Sequence, residues 1–344
     1  MKTSTSNDDA SLEKWRSVAL NLEQQVASVV IGQTRVIRLI NIAVFARGHV
    51  LLQGDVGVGK TTLLRAFAQG IGGSFARIEG SVDLMPNDLL YHTYLGENGR
   101  PTVDPGPLIR FGDELAIFFF NEINRARPQV HALLLRAMAE RNVTAFNREY
   151  RLPHLLVFAD RNRLEREETF EIAAAARDRF IMEIELAAPV DPELRRALVF
   201  DTRFHDVDTL LAGISSDGVN HHELNGIAAH IQRNIQTSAA LQKYALDLWD
   251  ATCTPTAYGV RIEGVDMQRL LLAGASPRGM SMLLQAARVA AWLAGRSYVA
   301  PEDVQAVFHE TITHRLYFPP VYELRRNELA TELTRAIIQH VAAP

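Results

Sequence analysis

Residues 54–61 read Gly54-Asp55-Val56-Gly57-Val58-Gly59-Lys60-Thr61, and no other run constrains the fold so tightly. An apolar run, Val50-Leu52, precedes it and a helical stretch, Thr62-Gln69, follows. The spacing is G-x-x-x-x-G-K-[ST]. Its glycines let the backbone curl until successive N–H groups, with the positive end of the next helix, surround phosphate oxygens. Such a loop joins a parallel strand to a helix, so the chain must contain an α/β layer. Lys60 is expected to contact the β- and γ-phosphates of a nucleotide and Thr61 to hold Mg²⁺, with Thr62 completing the binding run.

The rest of the chain supplies that layer. Val50-Leu52, Phe75-Ile78, Ala116-Phe120, Leu155-Ala159 and Phe180-Ile184 are short apolar runs that alternate with helical patterns, the signature of five buried parallel strands. Two hairpins are predicted to interrupt the core: Tyr91-Leu95 with Pro101-Val103 around Glu97-Asn98-Gly99, and Val143-Phe146 with Glu149-Leu152 around Asn147-Arg148. Between them Val130, Leu133, Leu134, Ala137 and Met138 lie on one helical face, so Pro128 to Glu140 reads as an amphipathic helix. An earlier helix covers Leu12 to Val30. Beyond Pro189 strand patterns stop, and Pro192-Phe200, Glu223-Asn234, Ser238-Cys253, Val265-Ala273, Pro277-Ala294 and Pro301-Thr311 read as helices, with a last one over Val321-Val341. The expected organisation is a disordered tail (1–10), an α/β nucleotide-binding domain (11–188), an all-helical domain (189–318) and a C-terminal helix (319–344).

Charge and cysteine usage narrow the partners. The 36 Lys and Arg against 40 Asp and Glu leave a net charge of -4, which supplies no electrostatic drive towards nucleic acid or anionic lipid. Cys253 stands alone, so an intramolecular disulfide framework and a multi-cysteine zinc site are both excluded. Met1 to Ala10 lacks the apolar stretch of a signal peptide, and no run of about 18 apolar residues could span a bilayer. A soluble, cytoplasmic protein is expected.

A nucleotide hydrolase also needs a carboxylate at the end of a neighbouring strand. Ile117-Phe118-Phe119-Phe120-Asn121-Glu122 provides Glu122 to polarise an attacking water. Asn121 stands where such enzymes commonly hold an Asp near Mg²⁺. Its carbonyl can still bond a metal-bound water, but a full negative charge is missing, so slower turnover or weaker Mg²⁺ binding is expected. Asn162, at the tip of the next strand, either orients the same water or is a loop asparagine. His221-His222 lacks a Cys or third His at ligand spacing and reads as an exposed helix start.

Gly54 to Thr61, Asp83-Leu84-Met85-Pro86-Asn87-Asp88, Gly106-Pro107, Asn121-Glu122-Ile123-Asn124-Arg125-Ala126, Asp178-Arg179-Phe180 and Gly274-Ala275-Ser276-Pro277-Arg278 occur in this order. Over residues 29 to 315 the chain resembles AAA+ ATPases of the MoxR family, relatives of magnesium chelatases. The resemblance implies an AAA+ core and helical lid, ATP or ADP with Mg²⁺ as cofactors, and a sensor-1 role for Asn162 and a sensor-2 role for Arg278. It makes Arg179 an arginine finger acting on a neighbouring subunit's site, hence a homo-oligomer, by family expectation a hexamer; a surface pair with Asp178 is the alternative. It also implies a chaperone-like machine that assembles or activates a protein client, such as a metalloenzyme, with a von Willebrand factor A domain partner. Two other classes stay open: a nucleotide-gated ring scaffold, motivated by Asn121, and a DNA-handling AAA+ protein. The chain departs from the family at Asn121, in the charged run Asp160-Arg161-Asn162-Arg163, and in a longer stretch between Trp249 and Ser276 that reads as either a partner-specific feature or an idle surface loop.

Overall fold

The computed structural model describes residues 3–55, 57–96, 98–161, 170–215 and 218–344, with side chains from residue 11 onward. Helices α1 (Thr3–Val29) and α2 (Thr34–Phe45) lead into β1 (His49–Gly54), α3 (Lys60–Gly70), β2 (Ser74–Glu79), β3 (Tyr91–Leu95), β4 (Pro101–Pro105) and β5 (Leu115–Asn121). Then come α4 (Pro128–Glu140), β6 (Asn142–Ala145), β7 (Arg148–Arg151), β8 (Leu156–Arg161), α5 (Ala174–Arg177), β9 (Phe180–Leu186), α6 (Pro192–Phe200) and α7 (Val207–Ala212). The remaining helices are α8 (Leu224–Asn234), α9 (Ala239–Cys253), α10 (Pro277–Leu293), α11 (Pro301–Ile312), α12 (Pro320–Glu323) and α13 (Arg326–His340).

The five apolar runs form one sheet in the order β2-β5-β8-β1-β9. The β2–β5, β5–β8 and β8–β1 pairs are parallel. Leu115 to Phe120 of β5 are all fully buried, because a central strand covered on both faces has no solvent side to alternate towards. Each such phenylalanine contributes about 2–3 kcal/mol of apolar burial. Because the strands share one direction, their C-terminal ends gather along one edge, where Gly54, Asn121 and Arg161 end their strands. An α/β AAA+ core followed by a helical lid therefore matches the expected fold class.

Residues group into two compact units, 17–179 with 184–225, and 1–16 with 180–183 and 226–344. The helical region was expected to separate at residue 189. Instead α6 and α7 belong with the sheet, since Arg65 of α3 pairs with Asp208 of α7 at 2.8 Å and Gln33 donates to the Ala187 carbonyl. In the helical unit, Ser276 caps α10 through Gly279 N–H at 3.0 Å. The fully buried Arg315 donates to the carbonyls of Phe180, at 2.7 Å, and Thr311. A Cβ on Gly279 would lie 2.3 Å from Arg315 Cδ, so only glycine lets that guanidinium through.

Several sequence expectations need correction. Residues 3–10 continue α1 rather than forming a tail, the helix propagating back from its periodic part. The sequence reading passed over α2, although Thr34, Arg35 and Arg38 leave it a polar side opposite its buried residues. The second hairpin turns at Phe146-Asn147, both with positive φ (54° and 58°), one residue earlier than expected. Residues 265–273 are not helical: Asp266 Oδ1 accepts from Gln268 N–H, Arg269 N–H closes on the Asp266 carbonyl, and Ala273 pairs with Tyr317. The C-terminal helix is broken between α12 and α13, where Arg325 N–H bonds the Tyr322 carbonyl and Arg326 reaches the carbonyls of His314 and Leu316.

Candidate nucleotide site

β1 ends at Gly54, and a Cβ there would lie 2.4 Å from the Leu186 carbonyl oxygen of β9, so glycine is needed for the strand end to pass. The loop then turns through Gly57 (φ 81°) and Gly59 (φ 89°), left-handed conformations that L side chains rarely adopt. A Cβ on either would meet nothing within 4 Å. The loop surface is therefore an open cradle rather than a packed turn. α3 begins at Lys60 with no side-chain cap, leaving its first N–H groups directed out of the helix end. Asp55 and Gly57 are exposed, and Val58 to Thr62 half-buried. Val56 lies outside the described residues.

Lys60 Nζ donates to the Gly54 carbonyl at 2.8 Å and pairs with Asp160 Oδ2 at 2.7 Å. Asp160 is fully buried on β8, opposite Leu52 of β1. Its second oxygen accepts the Glu122 N–H. Burial pushes the Asp160 carboxyl above the ordinary carboxylate range, while Lys60 and the Glu122 N–H draw it back. One carboxylate thus ties the phosphate-loop lysine to the backbone of the candidate catalytic glutamate.

Glu122 itself sits at φ 53°, ψ 50°, a left-handed conformation that costs of order 1 kcal/mol or more for a non-glycine residue and persists only where its surroundings enforce it. Asp160 holds its N–H, and Arg125 N–H bonds its carbonyl at 2.9 Å. On the other side Gly80 N–H bonds the Asn121 carbonyl at 2.7 Å. A Cβ on Gly80 would lie 2.1 Å from the Glu122 carbonyl oxygen, so the approach of β2 to this corner requires glycine. The Glu122 carboxylate pairs with Arg125 Nη1 at 2.9 Å. Buried His131 supports the following turn through the Ile123 carbonyl at 2.7 Å.

The expected residues fall as follows. Gly54, Asp55, Gly57, Val58, Gly59, Lys60, Thr61 and Thr62 form the loop and first turn; Asn121 ends β5 and Glu122 follows it. Asn162 lies outside the described residues. Arg179 follows α5 and donates to the Ala175 carbonyl at 2.7 Å. Arg278, in the other unit, is exposed on the first turn of α10. Sequence reasoning missed Asp160 as a site residue. Its signal was present, a charged residue following an otherwise apolar strand, Leu155-Ala159, two positions before Asn162.

Residues 49–182 match the model of the ATPase family associated with various cellular activities, and residues 267–340 match an AAA lid domain. Protein MoxR of Methylorubrum extorquens is 57% identical over 98% of both chains. Chaperone MoxR1 of Mycobacterium tuberculosis is 32% identical over 93% of this chain and 81% of its own. A crystal structure assigned as an ATPase from Cytophaga hutchinsonii superimposes with a TM-score of 0.81 at 27% identity, covering 99% of this chain and 98% of that one.

Proposed function

The chain belongs to the MoxR family of AAA+ ATPases, and from that premise we propose a ring-forming, chaperone-like machine that hydrolyses ATP to remodel a protein client. The observation that carries this reading is the linked set at the C-terminal strand ends: an open glycine loop, Lys60, Asp160 and Glu122, joined by the contacts at 2.8 Å and 2.7 Å on Lys60 and by the Glu122 N–H. The loop N–H groups and Lys60 bind the phosphates. Glu122, with its backbone clamped between Asp160 and Arg125, directs and polarises the attacking water.

Mg²⁺ supplies charge neutralisation on the transferring phosphoryl group. Thr61 and Asn121 would hold it, and the oxygen donors gathered here, a hydroxyl, an amide carbonyl and carboxylates, are the hard type it takes. Asn121 contributes no charge, but Asp160 places a buried carboxylate against Lys60. That weighs against the scaffold reading, which rested on the missing charge. Arg179 acts in trans as the finger, Asn162 as sensor 1 and Arg278 as sensor 2; all three assignments rest on the family resemblance. So do a hexameric ring, cytoplasmic location, a von Willebrand factor A domain partner and a metalloenzyme client. Chaperone is the word in the name of the M. tuberculosis relative. A DNA-handling role finds no support in the net charge of -4.

Steady-state ATPase measurements with and without a co-purifying partner test the machine. The expected result is turnover that the partner stimulates and that Glu122→Gln abolishes. Background turnover in every mixture refutes it.

A further inference from the structure

His222 lies exposed just before α8, as the sequence suggested, but His221 beside it is buried. His221 is 3% exposed, and the fold brings Glu114, from the turn before β5, and His154, from the turn before β8, against the pair. Glu114 Oε2 lies 3.3 Å from His221 Nε2, and Glu114 Oε1 lies 3.3 Å from His222 Nε2. One ligand atom from each of Glu114, His221 and His222 falls within 4.8 Å of the others. All three stand at the N-terminal edge of the sheet. The phosphate loop is at the opposite edge, roughly 20 Å away for strands of this length.

We propose that Glu114, His221 and His222 form a binding site for a divalent transition metal of the zinc class, with His154 as the outer partner that orients His222. The first argument is spacing. Bonds of about 2.0 Å at tetrahedral angles put neighbouring ligand atoms about 3.3 Å apart; each imidazole meets its own Glu114 oxygen at 3.3 Å, and one atom from each residue lies within 4.8 Å of the others, close enough to converge on one ion. The second is orientation. His222 Nδ1 and His154 Nε2 share a hydrogen bond at 3.1 Å, the kind of outer contact that fixes a ligating imidazole's tautomer.

The third argument is an unmet need. Nδ1 of the buried His221 makes no hydrogen bond, and Nε2 has only the Glu114 carboxylate, 3.3 Å away. A buried polar ring so poorly partnered is costly, and a cation would satisfy it. The ring is nevertheless built in: His221 N–H bonds the Ile71 carbonyl at 3.0 Å. Other charges at the cluster are Arg47, which donates to the His154 carbonyl at 2.6 Å, and Asp113, beside Glu114.

The test uses the full chain, stripped with a chelator and titrated with Zn²⁺ against a competing indicator, and separately with Co²⁺ by visible absorption. The expected result is one Zn²⁺ per chain, tetrahedral Co²⁺ bands, and at least tenfold weaker binding in Glu114→Gln and in His222→Ala, both at exposed positions. His154→Ala is expected to weaken binding by about tenfold to a hundredfold. Lys60→Ala is expected to leave Zn²⁺ binding unchanged, which separates this site from the nucleotide site. Binding that survives Glu114→Gln and His222→Ala, or the absence of stoichiometric binding to the wild type, overturns the proposal.

Discussion

Removing the charge of Asp160 tests the candidate site at its centre. Asp160→Asn is nearly isosteric and keeps an oxygen for the Glu122 N–H, so the perturbation is the loss of one negative charge beside Lys60. That charge is fully buried and Lys60 is only 10% exposed, with their polar atoms 2.7 Å apart. Deleting one partner of a buried pair leaves the other uncompensated and costs about 3–5 kcal/mol. Urea unfolding at neutral pH is expected to read a loss well below that range, because burial already holds the Asp160 carboxyl above its ordinary pKa and Lys60 keeps the Gly54 carbonyl. Turnover is expected to fall at least tenfold. Charge transposition then distinguishes a local electrostatic role from general damage: Asp160→Asn combined with Asn121→Asp returns a carboxylate to the same corner from β5. Recovery of most Mg²⁺-dependent ATP binding is expected in the double variant, and none on adding Asn121→Asp alone. A single variant with wild-type stability and turnover, or a double variant no better than the single, would falsify the reasoning.

Gly80→Ala drives a Cβ to within 2.1 Å of the Glu122 carbonyl oxygen; a stability loss of about 1–3 kcal/mol by overpacking is expected, with a larger proportional loss of turnover, both read on purified protein. For Arg179→Ala the expectation is unchanged ATP affinity by equilibrium binding and the loss of most turnover; full turnover removes the finger from the account. Acidification should destabilise the fold through His49. Its Nδ1 accepts the Val157 N–H at 2.9 Å, and burial, with Arg141 adding to it, holds its pKa well below 6.5. The unfolded chain binds that proton below about pH 6.5 and the folded one does not, so this stability is complete above pH 6.5 and falls by up to about 1.4 kcal/mol per unit below it. Thermal unfolding between pH 7.5 and 5.5 reads the slope, and His49→Gln, which cannot titrate, is expected to flatten it.

The strands of the parallel sheet, the glycine loop, α4 and the start of α10 were legible in residue order because each is set locally. Continuous apolar runs, a glycine pattern, a 3.6-residue period and a Ser-Pro start need no distant partner. Glu122 was legible for the same reason, as the acid that follows an apolar strand. α2 was not, although Thr34, Arg35 and Arg38 on one side carry the helical period. Nor was the break between α12 and α13, which follows from bonds to carbonyls some ten residues upstream.

What only the tertiary structure decided is which charges meet. Asp160 reaches Lys60 across a hundred residues because β8 pairs beside β1 in parallel register, and that pairing turns the apparent defect at Asn121 into a question of where the carboxylate is supplied. His221 and His222 looked solitary for want of a ligand at sequence spacing, yet sheet order brings Glu114 and His154 to them from the starts of two neighbouring strands. Local sequence determines elements because their energetics repeat every few residues; coordination and ion pairing are short-ranged in space, so they become visible only after the sheet has placed distant residues side by side.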